Sequence, residues 1–331
     1  MDLIYADESG EDIGILKDYK WDLAYGKDEN DFTCEVALQN NKCEAGWRLY
    51  MDGTEYGGVV DAIEVDTGND TLTYSGRTWH GILESKVIQP DSGMDYLTVS
   101  GDAHTVLKTL IKRIGLDGLF QVASESAGIK ITSYKVDRYV KAYTGIRKML
   151  KACGAKLRMS YNGSKVMLSA VQAVDYSKDE QFDQDQMAFK VSKEYHPTNH
   201  LICLGPGELK DRMVVHLYTD ATGNISGKQT LTGMQEVCDT YDYSNAESKE
   251  DLVEKGTERL QEAWGKSTID YDFDATAEIY DIGDIIGASE RTTGISVKAC
   301  ITKKIVTVSN GAVAIDYDSE AMTGTVDTSE C

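Results

Sequence analysis

Tyr280–Tyr317, YDIGDIIGASERTTGISVKACITKKIVTVSNGAVAIDY, is the stretch whose pattern decides the fold. It holds three apolar, β-branched segments, near Asp281–Ala288, Ile295–Val308 and Val313–Tyr317. The loop Ser289–Gly294 parts the first two and Asn310-Gly311 parts the last two. Asn-Gly between alternating apolar runs predicts a hairpin, because both central residues of the tight turn need φ > 0. Within Ile301–Val308 the set Ile301, Lys303, Ile305, Thr307 alternates with Thr302, Lys304, Val306, Val308, with the lysines expected to face water. The stretch predicts a meander of long antiparallel strands, the closing sheet of a barrel or sandwich.

Working outward, residues 1–90 also alternate. Trp21, Leu23, Tyr25 form one set, and Phe32, Cys34, Val36, Leu38 another. Asp52-Gly53 and the run Thr67–Asp70 punctuate a three-strand meander that ends at Thr71–Arg77. Residues 96–175 change character. His104–Ile114 places Val106, Leu107, Leu110, Ile111 and Ile114 at helical spacing, with Gly115 as its stop. Thr144–Cys153 repeats the pattern before Gly154, and Lys156–Tyr161, Asn162-Gly163, Lys165–Ala170 reads as a second hairpin. Beyond it, Ala188–Tyr195, His200–Leu204 and Met213–Thr219 predict strands. Glu247–Trp264 predicts a helix, and Ser267–Glu278 alternates as a strand. The fold class is therefore mainly β with an α+β insert.

The 331 residues carry a formal net charge of −21. Such a polyanion disfavours nucleic acid and anionic membrane as partners, since phosphate binding needs stripes of Lys and Arg, and sequence-specific nucleic-acid binding is not expected. No apolar run reaches the ~18–20 residues of a spanning helix, so no membrane anchor is expected. The acidic N-terminus MDLIYADESGED lacks the basic region of a signal peptide. Seven cysteines, an odd number without a CxxC, read as reduced intracellular thiols, with Cys153, Cys203 and Cys300 in the core.

The chemistry-bearing residues give weak signals. His196 and His200, in HPTNH, have a spacing that could bind metal on a helix, but Pro197 disfavours helix there and no Glu lies between them. A loop or strand end is expected, with no metal site. His80 and His104 are lone histidines at element edges. Acidic pairs are many and none stands out as a glycosidase pair, and Asp270, Asp272 and Asp274 read as a solvated strand face. No nucleophile elbow, P-loop or dinucleotide fingerprint occurs. No catalytic residue, metal ligand or cofactor is expected, and the chain does not read as an enzyme.

The segment Tyr280, Ile282, Gly283, Asp284, Ile285, Ile286, Gly287, followed by Thr293, Gly294, Ile295, Ala299, Ile301 and Thr302, resembles the C-terminal part of bacteriophage tail proteins of the baseplate-hub and tail-tip kind. These include siphovirus tail proteins, similar to the hubs of contractile tails. The order of elements elsewhere agrees over about residues 1–320. The resemblance implies two tube-like antiparallel β-barrels: 1–95 as the first, 96–180 as an α+β domain, 181–320 as the second with a helix inserted at about 245–265, and 321–331 as a flexible tail. Gly76, Arg77, Thr78 and Trp79 would lead from the first barrel into a helical connector.

The resemblance further implies a virion structural protein of a phage or prophage tail, made in the bacterial cytoplasm and placed in the tail. It would form a homotrimer joining the tail tube or distal tail protein to a spike, fibre or tape-measure protein. Its motif residues would be structural: Gly283, Asp284, Gly287 and Gly294 at strand turns, and Asn310 and Gly311 at the hairpin. The alternative is a carbohydrate-binding or lytic tail-tip module acting on the host cell surface, against which the absence of an appended domain before residue 331 weighs.

Overall fold

A computed structural model describes residues 2–178, 181–183, 189–192, 197–264, 268–271, 280–289, 296–309 and 311–321. Its largest unit is an 11-stranded sheet. The N-terminal half supplies seven strands, from Leu3–Ala6 through Tyr19–Gly26, Asp31–Ala37 and Gly57–Asp66 to Thr71–Thr78. Alternation explains them: Trp21, Leu23, Tyr25, Phe32, Cys34 and Val36 are buried, and the residues between them point outward.

The opening stretch completes this same sheet. Ile285–Ser289 pairs with Ser296–Ser309, which turns through Gly311 (φ +84°) into Ala312–Ala321. Ser309 faces Ala312 and Val308 faces Val313, the register that a hairpin through Asn-Gly demands. The other edge of Ser296–Ser309 is shared: Ile285–Ser289 takes its first part and Tyr19–Gly26 takes the rest. The two ends of the chain therefore meet in one sheet, across the expected boundary at 181. Among the described residues the sheets are open, and no closed barrel is present.

One expectation about this strand fails. Alternation holds, but the inward set is Thr302, Lys304, Val306 and Val308, so Lys304 is buried rather than facing water. The cysteines also differ from expectation. Cys34, Cys43, Cys153, Cys203 and Cys238 are free thiols, whereas Cys300 is buried and disulfide-bonded.

The α+β part follows the sheet through α1, Trp79–Glu84, whose first turn is capped by Thr78 accepting from the Gly81 N–H. Next comes α2, Ala103–Arg113, capped by the Asp102 side chain and stopped at Gly115 (φ +71°). Then α3, Ala142–Lys151, packs on the hairpin Ala155–Tyr161 and Val166–Gln172. A second core joins these elements, with Trp79 stacked 5.1 Å from Tyr161 and Tyr50 edge-on to Tyr161 at 4.4 Å. A Cβ on Gly57 would lie 2.5 Å from the Trp79 indole nitrogen, so only glycine lets the sheet approach α1 this closely.

A separate four-stranded sheet holds Ile225–Ser226, Val214–Thr219, His200–Leu204 and Cys238–Asp242, in that order. His200–Leu204 runs parallel to Cys238–Asp242, an arrangement that a plain meander does not contain. Helix α4, Lys249–Trp264, covers one face, burying Leu252, Gly256 and Leu260 against Leu201, Cys203, Val215 and Leu217. Gly256 is forced by this packing, since a Cβ there would lie 2.4 Å from the Cys203 sulfur.

Candidate functional site

A charged seam runs where the large sheet meets α1, α3 and the Ala155–Tyr161 hairpin. It starts at the turn before Ile285–Ser289. Gly283 there has φ +99°, and a Cβ on it would stand 3.2 Å from the Cβ of Lys156. Glycine thus meets both the backbone geometry and the close approach. The next residue, Asp284, is fully buried. Its carboxylate accepts from Lys156 Nζ at 2.7 Å, from the Val174 N–H at 2.9 Å and from the Asp281 N–H at 2.9 Å. Two distant segments are tied to this turn by one side chain. The pair is satisfied while intact, but removing one partner would strand a buried charge, at a cost of about 3–5 kcal/mol.

Asp281 lies beside it, 2.8 Å from the same Lys156 Nζ and 3.6 Å from Arg158. Burial alone would raise its carboxyl. The Lys156 hydrogen bond and charge, with Lys304 and Arg158 farther off, more than offset this and hold it below the usual carboxylate range.

A second buried cation stands deeper. Lys304 Nζ meets Glu55 Oε1 at 2.8 Å and lies 5.4 Å above the Tyr56 ring. Burial opposes its charge, but Glu55 and the flanking phenols outweigh burial and push the ammonium upward. Next to Glu55 sits His80, stacked on Tyr25 at 4.6 Å and edge-on to Tyr143 at 5.1 Å. Desolvation, then the charges of Lys304 and Arg147, lower its pKa to about 3. His80 is a neutral ring at neutral pH, so its 3.7 Å approach to Glu55 is not an ion pair there.

Between α3 and the turn at Gly283 lies a cavity of about 60 Å³, room for a few waters. Tyr143, Arg147, Lys151, Lys156, Ile282 and Ile285 line it. Its charged walls are cationic, without the paired carboxylates that glycoside hydrolysis needs.

The motif residues fall as follows. Gly283 and Asp284 are in the seam. Gly287 lies inside the strand Ile285–Ser289 rather than at a turn, and a Cβ there would be 2.9 Å from Ser177 Cβ. Gly311 is in the hairpin turn, while Asn310, Gly294, Asp272, Asp274 and His196 lie outside the described residues. His104 is a satisfied core histidine: Nε2 accepts from the Ala170 N–H at 3.0 Å, so Nδ1 carries the proton donated to the Glu125 carbonyl at 2.6 Å. His200 comes against His216, 2.8 Å from ring nitrogen to ring nitrogen, and against Glu236.

Sequence reasoning missed Lys156, Glu55 and Lys304. For Lys304 a signal existed, since it shares its alternating set with Val306 and Val308. For Lys156 and Glu55, neighbours in sequence carry no hint, because their partners lie more than a hundred residues away.

No family model matches the chain, and no curated protein matches it in sequence. Solved structures do match in shape. The tail protein from Neisseria meningitidis MC58 superimposes with a TM-score of 0.50 at 11% identity, covering 97% of this chain and 96% of that one. The 43 kDa tail protein of prophage MuSo2 from Shewanella oneidensis gives 0.53 at 12%, covering 97% and 96%. The prophage tail protein gp18 from Listeria monocytogenes EGD-e gives 0.51 at 12%, covering 98% and 96%. The chain has the fold of these phage tail proteins, over nearly its whole length.

Proposed function

We propose that a chain with this fold serves as a non-enzymatic structural component of a phage or prophage tail, as the hub or tail-tip ring that joins tube to spike or fibre. The observation that carries the proposal is the near end-to-end likeness to three prophage and tail proteins, which leaves little of the chain for a separate activity. In this proposal three copies assemble. The domain plan is that read from the sequence, 1–95, 96–180, 181–320 and 321–331, with the two β parts as tube-like barrels whose open edges close against neighbouring copies.

One such edge supports the idea. Asp12–Leu16 ends the large sheet and exposes Ile13 and Ile15, each 49% accessible, and an apolar edge strand invites pairing with another chain. Gly283, Asp284, Gly287, Gly294, Asn310 and Gly311 act structurally, keeping strand, turn and α+β part in register. The charge of −21 would rim the central lumen so that DNA or the tape-measure protein slides through without sticking; a neutral or basic lumen in an assembled ring would count against this.

Light scattering on a size-exclusion column across a concentration series tests the ring. The expected mass is three times the 36.5 kDa chain, alone or with the tube protein added. A monomer under both conditions refutes the trimer. The cell-surface module would instead show binding to host wall glycans by the single chain, and no observation on this chain favours it.

A further inference from the structure

The four-stranded sheet has one face covered by α4, while the other carries His200, buried, and the exposed His216. Leu201, Cys203, Val215 and Leu217 turn toward α4. Strand alternation sends His200, His216 and Tyr218 to the opposite face, and the parallel register sets Cys238 directly beside His200. Glu236 arrives from the turn just before Cys238, its N–H held by the Gly233 carbonyl at 3.2 Å. The ligand-type atoms of His200, Glu236 and Cys238 all lie within 4.8 Å of one another.

The hydrogen bonding around His200 is the second observation. Its Nδ1 is 2.6 Å from Glu236 Oε1, and its Nε2 is 2.8 Å from His216 Nδ1. If Nε2 carries the proton and donates to His216, then Nδ1 and the carboxylate face each other as two lone-pair donors. At 2.6 Å a single shared proton fills this contact, and a Zn²⁺ ion that displaced it would hold each atom at about 2.0 Å, the nitrogen and oxygen moving apart to receive it. The Cys238 thiol, within 4.8 Å of both atoms, adds a third ligand-type atom at the same point. One imidazole, one carboxylate and one thiolate form a donor set suited to a zinc-type ion, with a fourth position for water. His216 then acts as the outer partner that fixes the tautomer and orientation of His200.

We propose that His200, Glu236 and Cys238 bind one Zn²⁺ per chain, with His216 as a positioning residue. The site rests on these residues and not on the tail function proposed above. It also has a physical use. The core beneath it is small, made by Leu201, Cys203, Val215, Leu217, Ala246, Leu252 and Leu260, and small cores gain most from a staple. Here the ion would pin the strand Cys238–Asp242 and its preceding turn to the sheet.

The test uses the full chain without an affinity tag, stripped with a chelator and passed through a desalting column. Native mass spectrometry after addition of Zn²⁺ should show one retained ion per chain. Co²⁺ in its place should give a tetrahedral visible spectrum with a thiolate-to-cobalt charge-transfer band. Cys238→Ser should abolish that band, and Glu236→Gln should weaken zinc binding by at least about tenfold, as His216→Ala should through the lost second-sphere bond. Cys238 and Glu236 are not buried, so these variants should keep the parent circular dichroism, which separates loss of metal from loss of fold. Zinc should also protect Cys238 from alkylation. No retained ion, or several ions whose number does not change in Cys238→Ser and Glu236→Gln, overturns the proposal and marks adventitious surface binding only.

Discussion

The seam at Asp284 and the second sheet face at His200 each gather a few polar groups from distant parts of the chain, to opposite effect. At the seam, charges are matched inside the protein. Lys156 meets two carboxylates, Lys304 meets Glu55, and both ammonium groups are buried. At the second face, a thiol, a carboxylate and two imidazoles converge, a donor set that in the site proposed above would take up a cation from solution. A closed set of charges fastens; a set of lone-pair donors at a sheet surface is suited to receive. Burial decides which: Asp284 is fully buried, whereas Cys238 is exposed.

The sharpest way to break this contrast is Asp284→Ala. If the seam fastens, urea unfolding of the whole body should show a loss of about 3–5 kcal/mol, because Lys156 is left buried with one half-exposed partner. A loss below about 1 kcal/mol would place Asp284 among ordinary surface pairs. Acid probes the same region through His80. The folded ring resists its proton down to about pH 3 while the unfolded ring takes one near 6.5. Stability is therefore full above pH 6.5 and falls as pH drops, by about 2 kcal/mol between pH 7 and pH 5. His80→Phe keeps the ring stack and should flatten that slope; an unchanged slope would put the acid sensitivity elsewhere. Asp281, held low, adds a loss of the same sign only below the ordinary carboxylate range.

Smaller effects sharpen the picture. Gly311→Ala should cost about 1–2 kcal/mol, since a side chain at φ +84° is strained although the space around it is open. Thermal melting would read it, and a neutral result would mean the hairpin tolerates another turn. On α4, the exposed Lys255–Glu258 pair should be worth about 0.2–0.5 kcal/mol, so Lys255→Ala is expected to be nearly silent. A large effect there would show that the helix face meets something besides water.

Much of the large sheet was legible because period-2 burial leaves a plain trace, as in Trp21, Leu23 and Tyr25, and because a glycine marks the turn at Gly311. The helices were legible through their apolar stripes and glycine stops. The strand Cys238–Asp242 was not, since CDTYD is polar on both faces and offers no alternation to find. Parallel pairing was equally hidden, because it depends on which distant strands come together. The seam was half legible. Gly283 and Asp284 stood out in their motif, but their role needed Lys156 and Val174, which no local pattern names. Lys304 departs from expectation for a physical reason: hydropathy places lysine outside, and pairing with the partly buried Glu55 reverses that. His200 was weighed with His196 along the chain, whereas its partner His216 comes from the neighbouring strand.

The shared edge of Ser296–Ser309 also bears on the order of events during synthesis. Tyr19–Gly26 is made long before its partner Lys303–Ser309. Until those residues leave the ribosome, the N-terminal sheet holds a vacant edge beside Trp21 and Leu23. Closure must then draw together strands far apart in sequence, a contact of high order that forms slowly. The large sheet thus stays open along that edge until the Ser296–Ser309 strand has been made.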